Sequence, residues 1–231
     1  MFVFAHVFFG SLIGLGFWHL SGDHRAVPVS ILGAVLPDLL DKSLALLIPG
    51  IFGSGRTIGH SLIFLGIALA LGLLIWLFRN SILGVACACA LYSHQLIDSM
   101  WTLPASWFYP LLGSFPVVSI PDYIWHYFWL EISCPSEWIF AGASVIILGV
   151  WYRSIPGNRI SLTPGVMDAA RGTLVVLLAI VGIYLLGYGM ADLPQAIFAP
   201  AYDPVTDGMA GLLALSGMCV LVMWPRSFGR A

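Results

Sequence analysis

Long apolar runs separated by short polar breaks fill the chain from end to end. Crossing the hydrocarbon core of a bilayer takes roughly 20 apolar residues in a helix. Seven stretches approach that length: about 2–20, 27–48, 58–78, 81–99, 136–152, 172–190 and 208–225. The second is interrupted by Asp38, Asp41 and Lys42, so its outer half is expected to face protein rather than lipid. The fifth is short and follows "CPSE", with Ser136 as the expected N-cap. Between the fourth and fifth runs lies "MWTLPASWFYPLLGSFPVVSIPDYIWHYFWLEISCP". Amphipathic aromatic rings settle at the membrane–water interface, so this segment predicts a surface or re-entrant helix rather than a disordered loop. There is no internal repeat.

Composition agrees with that pattern. Of 231 residues, 60% are hydrophobic and 9% charged, where a soluble domain carries about 25% charged residues. Mean hydropathy is +0.97. The expected fold is therefore an all-α, polytopic membrane bundle of about seven transmembrane helices. A net charge of −2 speaks against nucleic acid as a partner, which requires a basic surface. Cys87 and Cys89 point about 200° apart on a helix and read as small membrane-helix residues rather than a metal pair. The N-terminal "MFVFAHVFFG" has no positive n-region and no obvious cleavage site, so the first helix is expected to be retained.

Lys and Arg placement sets the expected orientation. With seven alternating spans, Arg25, Arg79, Arg153, Arg159, Arg171, Arg226 and Arg230 share one side, leaving Lys42 and Arg56 on the other. That predicts a cytoplasmic C-terminus and an N-terminus outside. The basic-free 191–207 loop, with its aspartates, agrees.

On this topology the ionisable residues converge. His6 lies near the outer end of the first span, and Asp38 and Asp41 occupy the outer half of the second. Arg56 and His60 open the third, and His94 and Asp98 close the fourth. Asp38 and Asp41 are spaced i,i+3, and His94 and Asp98 i,i+4, so each pair shares a helix face. An Asp at the centre of a span costs about 2.5–3.5 kcal/mol on insertion scales, and such residues usually face the bundle interior and mark function. Imidazoles and carboxylates are the ligands of a divalent metal. Plainer readings exist for each group. His6 alone is an interfacial residue, the aspartates pair with Lys42 or Arg56, and His94–Asp98 is an interhelical hydrogen bond. His19 and His24 read as ordinary. Asp122 and His126, again i,i+4, either line a substrate groove or simply belong to an interfacial aromatic helix.

Two or three divalent cations held by such residues would activate water and clamp a phosphate or carbonyl oxygen. Zinc is the first expectation, with manganese or iron as alternatives. Arg56 suits an oxyanion, because guanidinium matches phosphate bidentately. His60 is either a ligand or a general acid/base.

The blocks "AHVFFG", "GAVLPDLLDKSL", "GRTIGHSLIF" and "LYSHQLIDSMW" followed by "WFYPLLGSFP" resemble, in order, the YdjM-like family of inner-membrane metal-dependent hydrolases, LexA-regulated in some bacteria. The resemblance covers about residues 1–116, leaving 117–231 as an interfacial segment and a three-helix extension. The family is grouped with zinc-dependent phospholipase C and related nucleases. This implies metal roles for His6, Asp38, Asp41, His60, His94 and Asp98. Many members read His-Arg-Gly-x-Thr-His-Ser where this chain has Gly55 and Gly59, and the commoner PDxD is PDxxD here. One candidate ligand of a three-metal site is thus absent.

Three functions follow as expectations. The first is a metal-dependent phosphoesterase in the plasma (inner) membrane, acting on a lipid or lipid-linked phosphate at the extracytoplasmic side. The second is a non-catalytic membrane protein with a structural polar or metal cluster. The third is an ion or proton-coupled transporter. The almost purely apolar inner halves of the spans disfavour the last.

Overall fold

The first helix, α1 (Val3–Ser21), is apolar on every side and buries Phe8, Phe9, Leu15 and Trp18. It stops at Gly22, whose φ of +72° lets its amide reach back to the Trp18 carbonyl at 2.7 Å. A tight turn follows, in which the Asp23 carboxylate accepts the Arg25 amide at 2.9 Å, and α2 (Ala26–Leu47) begins. A single turn, α3 (Pro49–Phe52), leads into irregular chain up to Ser61. The Ser61 hydroxyl caps α4 (Leu62–Arg79) by accepting the Phe64 amide. α4 ends at Asn80 in the left-handed conformation, and α5 (Leu83–Ile97) runs directly into Asp98. This is a computed structural model, and it describes residues 3–53, 55–117, 122–155, 164–191 and 204–223. Arg159, Arg226, Arg230 and the Asp192 and Asp203 of the acidic loop lie outside the described residues.

The aromatic segment is helical in pieces: a 3₁₀ turn at Met100–Thr102, then α6 (Pro104–Trp107) and α7 (Tyr123–Ile132). Trp125, Phe128 and Trp129 are exposed on α7, as an interfacial helix requires. α8 (Pro135–Ser154) starts one residue before the expected cap. Cys134, in extended conformation, holds the cap position and Pro135 the first helical one, where a missing N–H does no harm. α9 (Pro164–Met190) and α10 (Pro204–Met223) complete the chain.

Every regular element among the described residues is helical. Among the described residues, three helices are long and apolar enough to cross a membrane: Val3–Ser21, Leu62–Arg79 and Asp168–Met190. Counting α7 and α8 together as one broken span would add a fourth. The hydrophobic pattern predicts seven. α2 falls short because of its three charges, and α5, with 15 residues, rises only about 22 Å against a core of about 30 Å.

The chain divides into two units, residues 1–133 and 134–231. The aromatic segment falls within the first of these units. In the first unit α2 packs against both α1 and α5, and α4 packs on α5. Glycines set these distances. A Cβ on Gly10 would lie 2.8 Å from that of Ala34, one on Gly72 would lie 2.6 Å from the Gly84 backbone, and one on Gly33 would strike the Cys87 carbonyl. Small residues at helix contacts are what close packing in lipid demands, since apolar surface alone gives helices no reason to associate there. Only Gly72 of α4 is buried, so the rest of that helix presents Leu, Ile, Trp and Phe outward. In the second unit α9 and α10 pack through Gly182 and Gly211.

Replacing Gly33 with Val is expected to push α2 off α5 at an overpacking cost of about 1–3 kcal/mol. Thermal unfolding in detergent should show a lowered midpoint; an unchanged one would contradict the close α2–α5 contact.

Candidate metal centre

His94 is built into α5 with its ring fully buried. Its Nδ1 lies 2.6 Å from the Ala34 carbonyl of α2. A carbonyl only accepts, so Nδ1 carries the proton and Nε2 is left with a lone pair. His60 reaches the same result by another route. Its Nδ1 donates to Asp41 Oδ2 at 2.7 Å, which again frees Nε2. The two Nε2 atoms stand 3.0 Å apart. Two lone pairs face each other across that gap unless a proton or cation lies between them.

Carboxylates complete the arrangement. Asp38 Oδ1 is 3.7 Å from His60 Nε2 and 4.0 Å from His94 Nε2, and Asp98 Oδ2 is 3.6 Å from His60 Nε2. One donor atom from each of Asp38, His60, His94 and Asp98 lies within 4.8 Å of the others, and all four residues are buried. Asp38 Oδ1 has no hydrogen-bond partner although it is inaccessible to solvent. A buried carboxylate oxygen left unsatisfied is costly, and two nitrogens and two oxygens around one point are a donor set for a divalent ion. On a tetrahedral zinc with bonds of about 2.0–2.1 Å, two nitrogens lie about 3.4 Å apart, close to the spacing found. These residues fit a metal.

The other expected ligands take different places. Both oxygens of Asp41 are occupied: Oδ2 accepts the Thr57 amide at 2.6 Å and His60 Nδ1, and Oδ1 accepts the Gly59 amide at 2.9 Å. Asp41 thus stands behind His60 as the carboxylate that orients it. His6 stacks on the His94 ring, with centroids 3.9 Å apart and 26° between planes, and its Nε2 lies 3.4 Å from Asp98 Oδ1. It walls the cluster without belonging to the four. Arg56 donates through Nε to Asp98 Oδ2 at 3.0 Å. The Asp98 carboxylate holds the guanidinium pKa above its ordinary value, against the opposing effect of burial. Asp122, the N-cap residue of α7, and His126 within it are exposed, the His126 amide donates to the Asp122 carbonyl at 2.9 Å, and neither is among the clustered donors. Gly33 and Gly59 both sit at close approaches, the latter with a Cβ position 3.0 Å from the Pro37 backbone.

Of three further contributors, Gln95 and Tyr127 escaped the sequence reading. Lys42 donates to Asp38 Oδ2 at 2.7 Å, an i,i+4 contact visible as spacing but read there only as pairing. Gln95, fully buried, donates to the Ser61 carbonyl at 3.2 Å and accepts Trp107 Nε1–H at 3.0 Å. It ties α5 to the cap of α4 and to the aromatic segment; a glutamine beside His94 in an apolar helix was the available signal. Tyr127 of α7 lies within electrostatic reach of Arg56, Asp98 and Asp38, and its sequence neighbourhood gives no hint of this.

A family model described as YdjM inner membrane protein matches residues 1–194. No curated protein and no solved structure matches the chain.

Asp41→Asn keeps the shape of the side chain but sets an NH₂ against at least one of three N–H donors. Loss of the partner that orients a histidine ligand typically costs 10–100-fold in metal affinity. A competition titration with a chromophoric chelator should show that drop, and equal affinity in the variant would contradict the orienting role.

Proposed function

The chain belongs to the YdjM inner membrane protein family, and from its buried donors we propose that it is a membrane-embedded metal-dependent hydrolase. The observation that carries this reading is the convergence of Asp38, His60, His94 and Asp98, with both imidazole Nδ1 atoms already committed elsewhere. Zinc is the favoured ion, with manganese or iron as alternatives, because a mixed imidazole and carboxylate set accommodates all three. Bound there, a divalent ion supplies Lewis acidity toward a phosphoryl oxygen and a nucleophile at neutral pH.

The chain's own residues do the rest. Asp41 keeps His60 in the tautomer that turns Nε2 inward, and the Ala34 carbonyl does the same for His94. Arg56, with one guanidinium edge on Asp98, is placed to meet a phosphate. Burial of the four donors keeps bulk water from competing. The substrate in this reading is a lipid or lipid-linked phosphate, supported by the exposed aromatic rings of α7 and by Tyr127 near Arg56. Asp122 and His126 would then line the approach from the interface. A seven-span topology with the C-terminus in the cytoplasm, supported by the one-sided distribution of Arg, puts the cluster on the extracytoplasmic side.

One observation favours a second reading. Four protein donors fill a tetrahedral ion, as in structural zinc sites, whereas catalytic zinc keeps a position open. The ion would then only staple α2, α5 and the chain before α4. A transport pathway finds less support, since the donors gather at one point rather than along a route.

Elemental mass spectrometry on protein purified without chelator should find about one equivalent of metal, absent from a His94→Ala, Asp98→Ala variant shown by circular dichroism to be helical. The loaded wild type should then hydrolyse a member of a phospholipid and lipid-diphosphate panel at a rate the variant lacks. Metal without turnover on any of them would favour the structural reading, and no metal even after remetallation would end both.

A further inference from the structure

The four donors are buried, but the part of the cluster that reaches outward is basic. Asp38 and Asp98 side chains are 6% and 2% exposed, while Lys42 and Arg56, which hold them, are 25% and 30% exposed. Each cation sits one carboxylate away from the centre: Lys42 Nζ is 2.7 Å from Asp38 Oδ2, and Arg56 Nε is 3.0 Å from Asp98 Oδ2. They come from different elements, α2 and the chain before α4. The ammonium of Lys42 and the guanidinium of Arg56 are thus the more exposed partners in these two pairs.

We propose that Lys42 and Arg56 together form a two-point receptor for a phosphate oxyanion at the mouth of the metal centre, with Lys42 as a specificity-determining residue in addition to its hold on Asp38. This rests on the metal reading above. Arg56 offers a flat fork of donors matched to a phosphate edge, and Lys42 a compact point charge that takes a further oxygen. A phosphate lipid headgroup and free phosphate share this chemistry, so the receptor accepts both and the source is decided by what delivers it.

The test uses full-length, metal-analysed protein in detergent. Inorganic phosphate is titrated by calorimetry into wild type, Lys42→Gln, Lys42→Arg and Arg56→Gln, and metal content is measured on every sample. Metal-loaded wild type should bind phosphate, Lys42→Gln and Arg56→Gln at least tenfold more weakly, and Lys42→Arg nearly as well as wild type. Mixed micelles carrying phosphatidic acid or diacylglycerol then separate the sources. A preference for phosphatidic acid, lost in Lys42→Gln, assigns the receptor to a lipid headgroup, and no preference assigns it to soluble phosphate. Metal-loaded Lys42→Gln that binds phosphate as tightly as wild type would overturn the proposal and leave Lys42 as a partner of Asp38 alone. If Lys42→Gln loses its metal, the metal-loaded Lys42→Arg and Arg56→Gln proteins decide instead: equal phosphate affinity in wild type and Arg56→Gln overturns the two-point receptor. Wild type that holds metal but takes no phosphate also overturns it, whereas wild type that takes no metal overturns the metal reading beneath it.

Discussion

The buried carboxylate of Asp41 accepts hydrogen bonds from Thr57, Gly59 and His60, three donors on one short piece of irregular chain. That piece has no helix of its own to satisfy its amides, and inside a membrane protein there is little water to do so. Asp41 does it from the side of α2, and in the same act determines where His60 points. Gly59 is part of the arrangement, because a side chain there would meet both the Pro37 backbone and Asp41 Oδ1. The position of α4 follows as well, since its cap at Ser61 is the next residue after His60. Without this carboxylate the chain before α4 would carry unpaired amides at the heart of the bundle, and the cluster would lack one of its two imidazoles.

Much of this was legible in the sequence because ionisable residues are rare in so apolar a chain. His94 and Asp98 stood out at the end of "SILGVACACALY", and the structure brings them together with Asp38 and His60. Most of the long helices were legible too, to within a few residues, since long apolar runs permit little else, although α9 starts at Pro164, eight residues before the expected run. What spacing does not reveal is which of two neighbouring acids faces the centre. Asp38 and Asp41 share a helix face and differ only in what lies opposite, and the amides of Thr57 and Gly59 decide the matter. Backbone groups leave no mark in a sequence. The same holds for Ala34, whose contribution is its carbonyl, and for Tyr127, brought near Arg56 by a surface helix whose docking no periodicity encodes.

The two units carry different chemistry. Residues 134–231 form a helical unit in which α9 and α10 pack through glycine, and none of the clustered donors comes from it. The match to the family nevertheless extends through residue 194, so α8 and α9 are part of what the family shares rather than an appendage of this chain. In the first unit the exposed apolar surface of α4 marks the boundary where lipid takes over from protein as the packing medium.

One consequence follows from the bond between His94 and the Ala34 carbonyl. The partner is main chain, so removing the side chain at position 34 does not delete it. The same bond is intolerant of sliding. Shifting α2 along α5 by a single residue moves the carbonyl by about 1.5 Å, enough to break it. The alignment of the two helices is therefore recorded in a contact that mutation of the acceptor side chain cannot erase, and insertions or deletions in α2, rather than replacements, are the changes this lineage would be expected to shed first.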